Sequence, residues 1–170
     1  MKNLRIQNKI IEYIIENNLI DDFERFLNDS GIKCKLIVKK TPSGENVLYF
    51  NHKRPIPFVN NMSSGTGALL VFYYYYKKID NVSFIYLDEF DAFYHFELSE
   101  RIIKILEDLD NCQTIATSHN TDLLSNKIMR PDCFFVLTDE KLVSIVNSTN
   151  RELREGHNLE KLYKSCEFDE

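Results

Sequence analysis

Apolar residues recur at helical spacing along the first part of the chain. Residues 4–17 carry apolar side chains at about the interval of one helix face: Leu4, Ile11, Ile14 and Ile15. A second amphipathic stretch spans residues 20–28, starts with two aspartates whose charge suits a helix N-terminus, and stops at Ser30-Gly31. The pattern therefore predicts two short helices at the start.

An alternating stretch follows these helices. The runs CKLIVKK and VLYF are separated by TPSGEN, in which Pro42 and Gly44 are typical of a turn, so a hairpin is predicted. A loop rich in Pro, Asn, Ser and Gly then leads into the aromatic run ALLVFYYYYKK at 68–78. Its tyrosines suit either a helix that packs on a sheet or a platform for stacking bases, and we favour the helix.

After the tyrosines, short apolar runs alternate with a helical stretch. VSFIYL and CQTIATS are continuous apolar runs, as in buried parallel strands, and a helix is predicted between them at about 95–109. NTDLLSNKI predicts a further short helix. Strands and helices that alternate in this way predict an α/β fold with a mainly parallel sheet flanked by helices.

The end of the chain predicts two more strands and a helix. CFFVLTDEKLVSIV divides into two apolar runs around the turn Asp139-Glu140. Thr149 or Asn150 is placed to cap a last helix near residues 152–164.

Composition and charge narrow the class of protein and its possible partners. The 170 residues, 44% hydrophobic and 28% charged, are typical of one globular domain or a fragment of a larger one. Without an apolar run of about 18 residues we expect no membrane span, and four scattered cysteines suggest reduced thiols and a cytoplasmic protein. The net charge of −5 combines about +3 over residues 1–61 with about −8 over residues 62–170, which disfavours nucleic-acid binding by the later part. A basic run suits either a contact with phosphate or the solvated face of a hairpin, and we favour the hairpin face; it comprises Lys33, Lys35, Lys39, Lys40, Lys53 and Arg54.

Three carboxylates follow the first predicted parallel strand. Asp88 and Glu89 come directly after FIYL, and Asp91 follows two residues later. Ligands of open α/β sheets bind at the carboxyl ends of strands, where an Asp reaches Mg²⁺ and a neighbouring Glu polarises water. An apolar run followed by Asp-Glu is the Walker B pattern. The alternative, about equally supported by this motif alone, is that Asp88 or Asp91 caps the next helix.

Two further motifs bear on this choice. TIATSHN brings Ser118 and His119 to the end of the next strand, where an imidazole can contact a phosphate or the attacking water. MSSGTGALL, upstream of the acids, offers hydroxyls and backbone N–H groups at the start of a helix, as an anion site would. Taken singly, each has a simpler interpretation: a core or capping histidine, and an ordinary Ser/Thr N-cap.

In this order and spacing, SSGTG, FIYLDEFDAFYH and TIATSHNTDLL resemble the C-terminal half of an ABC-type ATPase head. More narrowly they resemble bacterial AAA/ABC-like ATPases of the OLD and abortive-infection kind, related to RecF and SMC heads. The resemblance implies a P-loop NTPase-like fold, with Mg²⁺ and ATP as cofactors. It also implies site residues: the signature motif in Ser63, Ser64 and Gly65, the Walker B carboxylate in Asp88, the catalytic glutamate in Glu89, the dimer-interface loop from Asp91 to His95, and the switch histidine in His119.

The resemblance has one large departure. None of the five glycines begins a GxxxxGK[ST] motif, the loop that cradles the β- and γ-phosphates. We therefore expect residues 31–170 to form a C-terminal lobe and residues 1–30 to be a helical segment, the remnant of an insertion arm. A Walker A-bearing lobe or a homo-oligomer would then complete the ATP site, and DNA would be reached through the complete complex.

Three functions remain open at this point. The first is an ATPase lobe that supplies signature, Walker B and switch-histidine elements to a dimeric Mg·ATP site, in phage defence or DNA transactions. The second is a non-catalytic dimerisation or regulatory remnant of such an ATPase. The third is a metal-dependent phosphoesterase or nuclease.

Overall fold

A computed structural model describes residues 2–154 and 156–168 of the chain. The chain divides into two units, residues 1–83 and 84–170. Elements of the first unit, in chain order, are α1 (Lys2–Glu16), α2 (Ile20–Asp29), β1 (Leu36–Lys40), β2 (Asn46–Phe50), β3 (Ile56–Pro57), α3 (Phe58–Asn61), α4 (Ser64–Tyr76) and a 3₁₀ turn (Ile79–Asn81). The two predicted N-terminal helices are thus confirmed, and the tyrosine run is helical.

Apolar faces of the helices form the core of the first unit. One stripe of α1 is buried, as the spacing predicted, although Leu4 at its start is exposed. Phe23 of α2 lies at the centre, with its ring 4.9 Å from Tyr73 of α4 and 5.8 Å from Phe58 of α3. Fully buried side chains of this core include Ile14, Phe23, Leu27, Leu48, Phe58, Leu69, Leu70 and Tyr73. The aromatic run of α4 therefore supplies core packing at Tyr73, while Tyr75 is exposed.

A polar contact ties α2 to α4 at the edge of this core. The Tyr73 hydroxyl donates to Asp22 Oδ2 at 2.7 Å, and Lys77 Nζ lies 2.7 Å from the same oxygen. Burial, together with the neighbouring Asp22 carboxylate, raises the pKa of Tyr73. Burial works against ionisation of Asp22, but the hydrogen bonds from Lys77 and Tyr73 outweigh it and lower the pKa of that carboxyl.

The predicted hairpin is present and is extended by a third strand. β1 and β2 pair antiparallel, from Leu36 opposite Phe50 to Lys40 opposite Asn46, and β3 pairs antiparallel with β2. Gly44 occupies the left-handed region in the connecting turn, with φ of 87°, which a residue with a Cβ rarely adopts. Asn28 of α2 donates to the carbonyl of Cys34 and accepts from its N–H, so the first helices are bonded to the segment that enters the sheet.

The second unit contains the alternating strands. Its elements in chain order are β4 (Phe84–Leu87), α5 (Phe96–Glu107), β5 (Gln113–Ala116), 3₁₀ turns at Thr121–Leu123 and Pro131–Cys133, β6 (Phe135–Leu137), β7 (Leu142–Ser144), a 3₁₀ turn (Ile145–Asn147) and α6 (Leu159–Lys164). β4 and β5 pair in parallel, from Phe84 opposite Gln113 to Leu87 opposite Ala116, and α5 connects them. This strand–helix–strand unit is the predicted one, with its helix within two residues of the expected bounds.

The sheets differ from the predicted one in extent and burial. Among the described residues β4–β5 is a two-stranded sheet and the sole parallel pairing, whereas the pairs of the other two sheets are antiparallel. The expectation of two buried strands is wrong: Phe84 is 51%, Tyr86 56% and Ile115 44% exposed. A parallel strand is buried on both faces only where helices and further strands cover it. In the described residues no third strand pairs with β4 or β5.

The C-terminal part corrects two further expectations. β6 and β7 form the predicted hairpin around Asp139-Glu140. The expected helix over 152–164 is shorter, α6, and its N-cap is Asn158, which accepts a hydrogen bond from the Lys161 N–H, rather than Thr149 or Asn150. NTDLLSNKI forms a single 3₁₀ turn, in which Asn120 accepts from Asp122 N–H, in place of an α-helix.

The described residues also bear on disulfide bonds and on membrane-spanning helices. None of the four cysteines, all of which lie in the described ranges, forms a disulfide. None of the helices described combines the length and apolar character needed to cross a membrane. The predicted boundary between residues 30 and 31 stays a prediction.

Candidate functional site

The carboxylates lie where the parallel strands end. Asp88 and Glu89 directly follow β4, and Thr117 to His119 directly follow β5. Because the strands are parallel and in register, both segments leave the same edge of the sheet. The Thr117 N–H donates to the Leu87 carbonyl at 2.9 Å, which continues the ladder one step beyond the strands. The sequence therefore correctly predicted that these two segments converge.

Asp88 is held by two hydroxyl groups. The Thr117 hydroxyl donates to Asp88 Oδ1 at 2.8 Å, and the Tyr86 hydroxyl donates to the same oxygen at 3.3 Å. Within the described part of the chain, Oδ2 accepts no hydrogen bond. The carboxylate is exposed. One carboxylate oxygen thus remains for a cation or water.

Glu89 leaves the strand direction because of its backbone. Its φ is 44°, in the left-handed region that non-glycine residues rarely occupy. Its N–H donates to the Thr117 hydroxyl at 2.8 Å, and the following Phe90 N–H donates to the Thr117 carbonyl at 3.1 Å. Strained backbone that its surroundings hold in place recurs at functional sites, which makes Glu89 a candidate on grounds independent of the motif.

His119 faces Glu89. Its Nε2 lies 3.5 Å from Glu89 Oε1, with the histidine side chain 91% and the glutamate side chain 61% exposed. An exposed pair of this kind contributes little to stability, about 0–1 kcal/mol. The two side chains are consequently available to a ligand, and neither is a core group, so the simpler interpretation of His119 as a core histidine is wrong.

Asp91 lies in the turns that follow β4. Ala92 N–H donates to the Glu89 carbonyl and Tyr94 N–H to the Asp91 carbonyl, which carries the chain to α5. Burial raises the pKa of Tyr94 to about 12. α5 begins at Phe96 after His95 as N-cap, so the alternative in which Asp88 or Asp91 caps this helix is wrong.

The SSGTG motif lies in the first unit and begins α4. Ser63 is the N-cap: its Oγ accepts a hydrogen bond from Thr66 N–H at 3.1 Å and lies 2.8 Å from Thr66 Oγ1. Ser64 and Gly65 are the first helical residues. The N-cap interpretation is therefore confirmed for Ser63, and a contact between this motif and a nucleotide stays a prediction.

Lys35 of the predicted basic run contacts a carboxylate of α2. Lys35 pairs with Glu24 of α2 at 2.8 Å, and hydrogen bonds from Lys35 and the Leu36 N–H lower the pKa of Glu24 despite the opposing effect of burial. Lys35 of the basic run therefore forms an ion pair within the first unit.

In the ranges that the structure describes, no three His, Cys, Asp or Glu side chains come together as a metal cluster.

Sequence reasoning missed Thr117. The motif TIATSHN drew attention to Ser118 and His119, but it is the hydroxyl before them that contacts both the Asp88 carboxylate and the Glu89 N–H. The available signal was strand register: a residue one step beyond β5 lies opposite the residue one step beyond β4. A hydroxyl at that position is then placed against the first carboxylate.

Comparison with known proteins gives the family. A profile described as "AAA domain, putative AbiEii toxin, Type IV TA system" matches residues 7–125, more than two thirds of the chain, from α1 to the 3₁₀ turn after His119. No curated protein matches. ATPases of this class bind and hydrolyse ATP, generally with Mg²⁺, and they have the P-loop NTPase-like α/β fold that the motifs led us to expect. The converging strand ends and the profile together show that the chain belongs to this family of AAA domains.

Proposed function

We propose that this chain supplies a Walker B carboxylate, a catalytic glutamate and a switch histidine to a Mg·ATP site. The observation that carries the proposal is the convergence of Asp88, Glu89 and His119 at the carboxyl end of the β4–β5 pair. This is the edge at which α/β proteins bind ligands. Structural needs do not account for it, because the Glu89 backbone is strained and both facing side chains are exposed.

Asp88 fits a magnesium ligand. Mg²⁺ is usually held by one or two carboxylates together with waters and substrate phosphates, so the lack of a larger cluster in the described residues is compatible with it. Asp88 Oδ1 is occupied by hydroxyl donors and Oδ2 is directed to no described protein group. When bound, Mg²⁺ neutralises charge on the β- and γ-phosphates.

Glu89 and His119 are proposed to handle the attacking water. A carboxylate can accept a hydrogen bond from water and orient it, and an imidazole can donate to a phosphate oxygen or hold the same water. Their 3.5 Å separation lets one water contact both groups. Glu89 is the proposed base and His119 the proposed phosphate contact.

The remaining residues are proposed through the resemblance. Ser63, Ser64 and Gly65 would contact the γ-phosphate of nucleotide bound to another subunit, since they begin an α-helix whose N-terminus favours anions. Asp91 would lie at the dimer interface. With no GxxxxGK[ST] motif in the 170 residues, the phosphate cradle would come from a Walker A-bearing lobe or another subunit. A setting in phage defence or DNA transactions, of the OLD or abortive-infection type, and a cytoplasmic location complete the proposal.

A second candidate function is supported by two observations. Ser63 is satisfied as an ordinary N-cap, and a phosphate cradle is absent from the sequence. Both features suit a non-catalytic dimerisation or regulatory module of an intact ATPase. The nuclease alternative has less support, because Asp88 and Glu89 lack a further carboxylate cluster among the described residues.

Binding of Mn²⁺·ATP tests the proposal. Mn²⁺ replaces Mg²⁺ and broadens the NMR signals of nearby amides, so wild-type chain should lose the signals around Asp88 and His119 first. Asp88→Asn should abolish this broadening. Asp139→Asn, a matched change in the exposed β6–β7 turn, should leave it intact. Absence of broadening near Asp88 when the Walker A-bearing partner is present, or equal broadening in Asp88→Asn, would refute the metal role.

Turnover separates the two candidate functions. The chain alone should show no steady ATP hydrolysis, and a Walker A-bearing partner should restore hydrolysis to wild type and Glu140→Gln but not to Glu89→Gln. Glu140 lies in the exposed β6–β7 turn and is the matched control. Equal rates in Glu89→Gln and Glu140→Gln would favour the non-catalytic module. Hydrolysis by the chain alone that disappears in Glu89→Gln would show a complete site without a partner.

A further inference from the structure

The Thr117 hydroxyl uses both of its hydrogen-bonding capacities at the candidate site. As donor it contacts Asp88 Oδ1, and as acceptor it receives the Glu89 N–H, each at 2.8 Å. A carboxylate only accepts and an N–H only donates, so the direction of both bonds follows from chemistry. One oxygen atom therefore links the two acidic residues to the end of β5.

The main chain of Thr117 adds two more bonds to the same segment. Its N–H donates to the Leu87 carbonyl at 2.9 Å, and its carbonyl accepts from Phe90 N–H at 3.1 Å. The N–H groups of Glu89 and Phe90 are thus both bonded to Thr117, one to the side chain and one to the backbone. These bonds bracket the left-handed Glu89, whose φ of 44° needs local contacts to persist.

Each bond has a consequence for the carboxylates. Donation to Oδ1 of Asp88, reinforced by Tyr86, fixes the rotation of the carboxylate so that Oδ2 is the free oxygen. Acceptance from the Glu89 N–H holds the backbone that turns the Glu89 side chain towards His119. Threonine suits this task because its β-branched side chain has few χ1 rotamers.

We propose that Thr117 is the positioning residue of this site, a clamp that orients Asp88 and Glu89 and joins them to the strand end that carries His119. Thr117 itself need not touch the metal or nucleotide. The inference rests on the proposed function in so far as Asp88 holds a metal, but the clamp itself is defined by hydrogen bonds that can be tested without a ligand.

Amide exchange tests the clamp directly, with an internal control. In Thr117→Val, which has nearly the same shape, the Glu89 N–H loses its acceptor and should exchange with solvent about tenfold faster. The Phe90 N–H, bonded to the Thr117 carbonyl, should change by less than about threefold. Thr117→Ser keeps the hydroxyl and should restore slow exchange at Glu89. Unchanged Glu89 exchange in Thr117→Val would overturn the proposal.

Metal affinity tests what the clamp does. Loss of a group that orients a ligand typically weakens metal binding about tenfold or more, so Thr117→Val should bind Mn²⁺·ATP about tenfold more weakly than wild type, while Thr117→Ser binds normally. Thr117→Ala, which places no methyl group against the carboxylate, should match Thr117→Val and guards against a steric artefact.

The outcomes separate the two proposals. Faster Glu89 exchange with unchanged Mn²⁺·ATP affinity would give Thr117 a purely structural role and overturn the inference. Equal affinity of wild type and Asp88→Asn would instead refute the proposed function, whatever Thr117 does. Weaker binding in Thr117→Val and Thr117→Ala, normal binding in Thr117→Ser, and loss in Asp88→Asn support both.

Discussion

The backbone of Glu89 gives a quantitative prediction, because φ of 44° is unfavourable for any residue that carries a Cβ atom. We compare Glu89→Gly with Glu89→Ala, since both remove the carboxylate and its contact with His119. The two variants then differ in the Cβ atom and in the freedom of the unfolded chain. The prediction is that glycine is the more stable of the two.

The expected size follows from two opposing effects. The left-handed region costs a residue with a Cβ roughly 1–2 kcal/mol, which glycine avoids. Glycine in turn loses more backbone freedom on folding, which costs roughly 0.5–1 kcal/mol relative to alanine. Glu89→Gly should therefore unfold with a free energy about 0.5–1 kcal/mol above that of Glu89→Ala.

A helical position in the same unit supplies the control. Lys104 lies within α5 with its side chain 55% exposed and pairs with Glu100, a contact that both substitutions remove. In a helix the order reverses, and Lys104→Ala should be about 1 kcal/mol more stable than Lys104→Gly. The same amino-acid pair thus tests two backbone conformations with opposite expected signs.

Urea unfolding followed through the NMR signals of α5 measures these differences in the second unit. If Glu89→Gly were no more stable than Glu89→Ala while the Lys104 pair behaved as expected, the left-handed conformation of Glu89 would be refuted. The strained backbone would then lose its value as evidence for a functional role.

Three further predictions concern packing and assembly. Tyr73→Phe should lower the free energy of unfolding by about 1 kcal/mol near neutral pH, because the hydroxyl donates to the partly exposed Asp22 carboxylate. The pKa of Asp22 is lowered in the folded chain, so the stability from this contact is complete above the ordinary pKa of 3.8 and is lost as pH falls through the lower folded pKa. Urea unfolding of wild type and Tyr73→Phe at a series of pH values measures this stability difference. A difference that persisted in acid would contradict the assignment. Phe23→Ala should cost about 3–5 kcal/mol, because Phe23 is fully buried among aromatic rings, and a loss under 1 kcal/mol in thermal or urea unfolding would contradict that packing. The chain should self-associate through exposed apolar strand residues such as Phe84, and sedimentation that shows a monomer at every concentration would exclude this.

The sequence pattern was sufficient to predict those helices and strands that depend on residues close together in the chain. The amphipathic spacing of α1 and α2, the hairpin around Gly44 and the strand–helix–strand order of β4, α5 and β5 could be predicted from residue order, because spacing and turn chemistry act over a few residues. Parallel pairing then brought the residues after β4 and β5 to one edge, as expected for Asp88 and His119.

Expectations failed where a more distant contact decides the outcome. Apolar strand sequences predicted burial, but Phe84 and Tyr86 are exposed, because burial depends on what covers a strand and not on its composition. The last helix begins after Asn158 rather than Thr149 or Asn150, since several side chains were suited to capping and local composition does not choose among them.

The site shows the same division between local and tertiary causes. Residue order alone places two carboxylates after one strand and a histidine after the next. Strand register decides that the Thr117 hydroxyl meets Asp88 and the Glu89 N–H, and those bonds in turn allow Glu89 a left-handed backbone that no local preference favours. Hydrogen bonds between residues 28 or 29 positions apart exist only once the strands have paired, so the orientation of these carboxylates is a property of the folded chain.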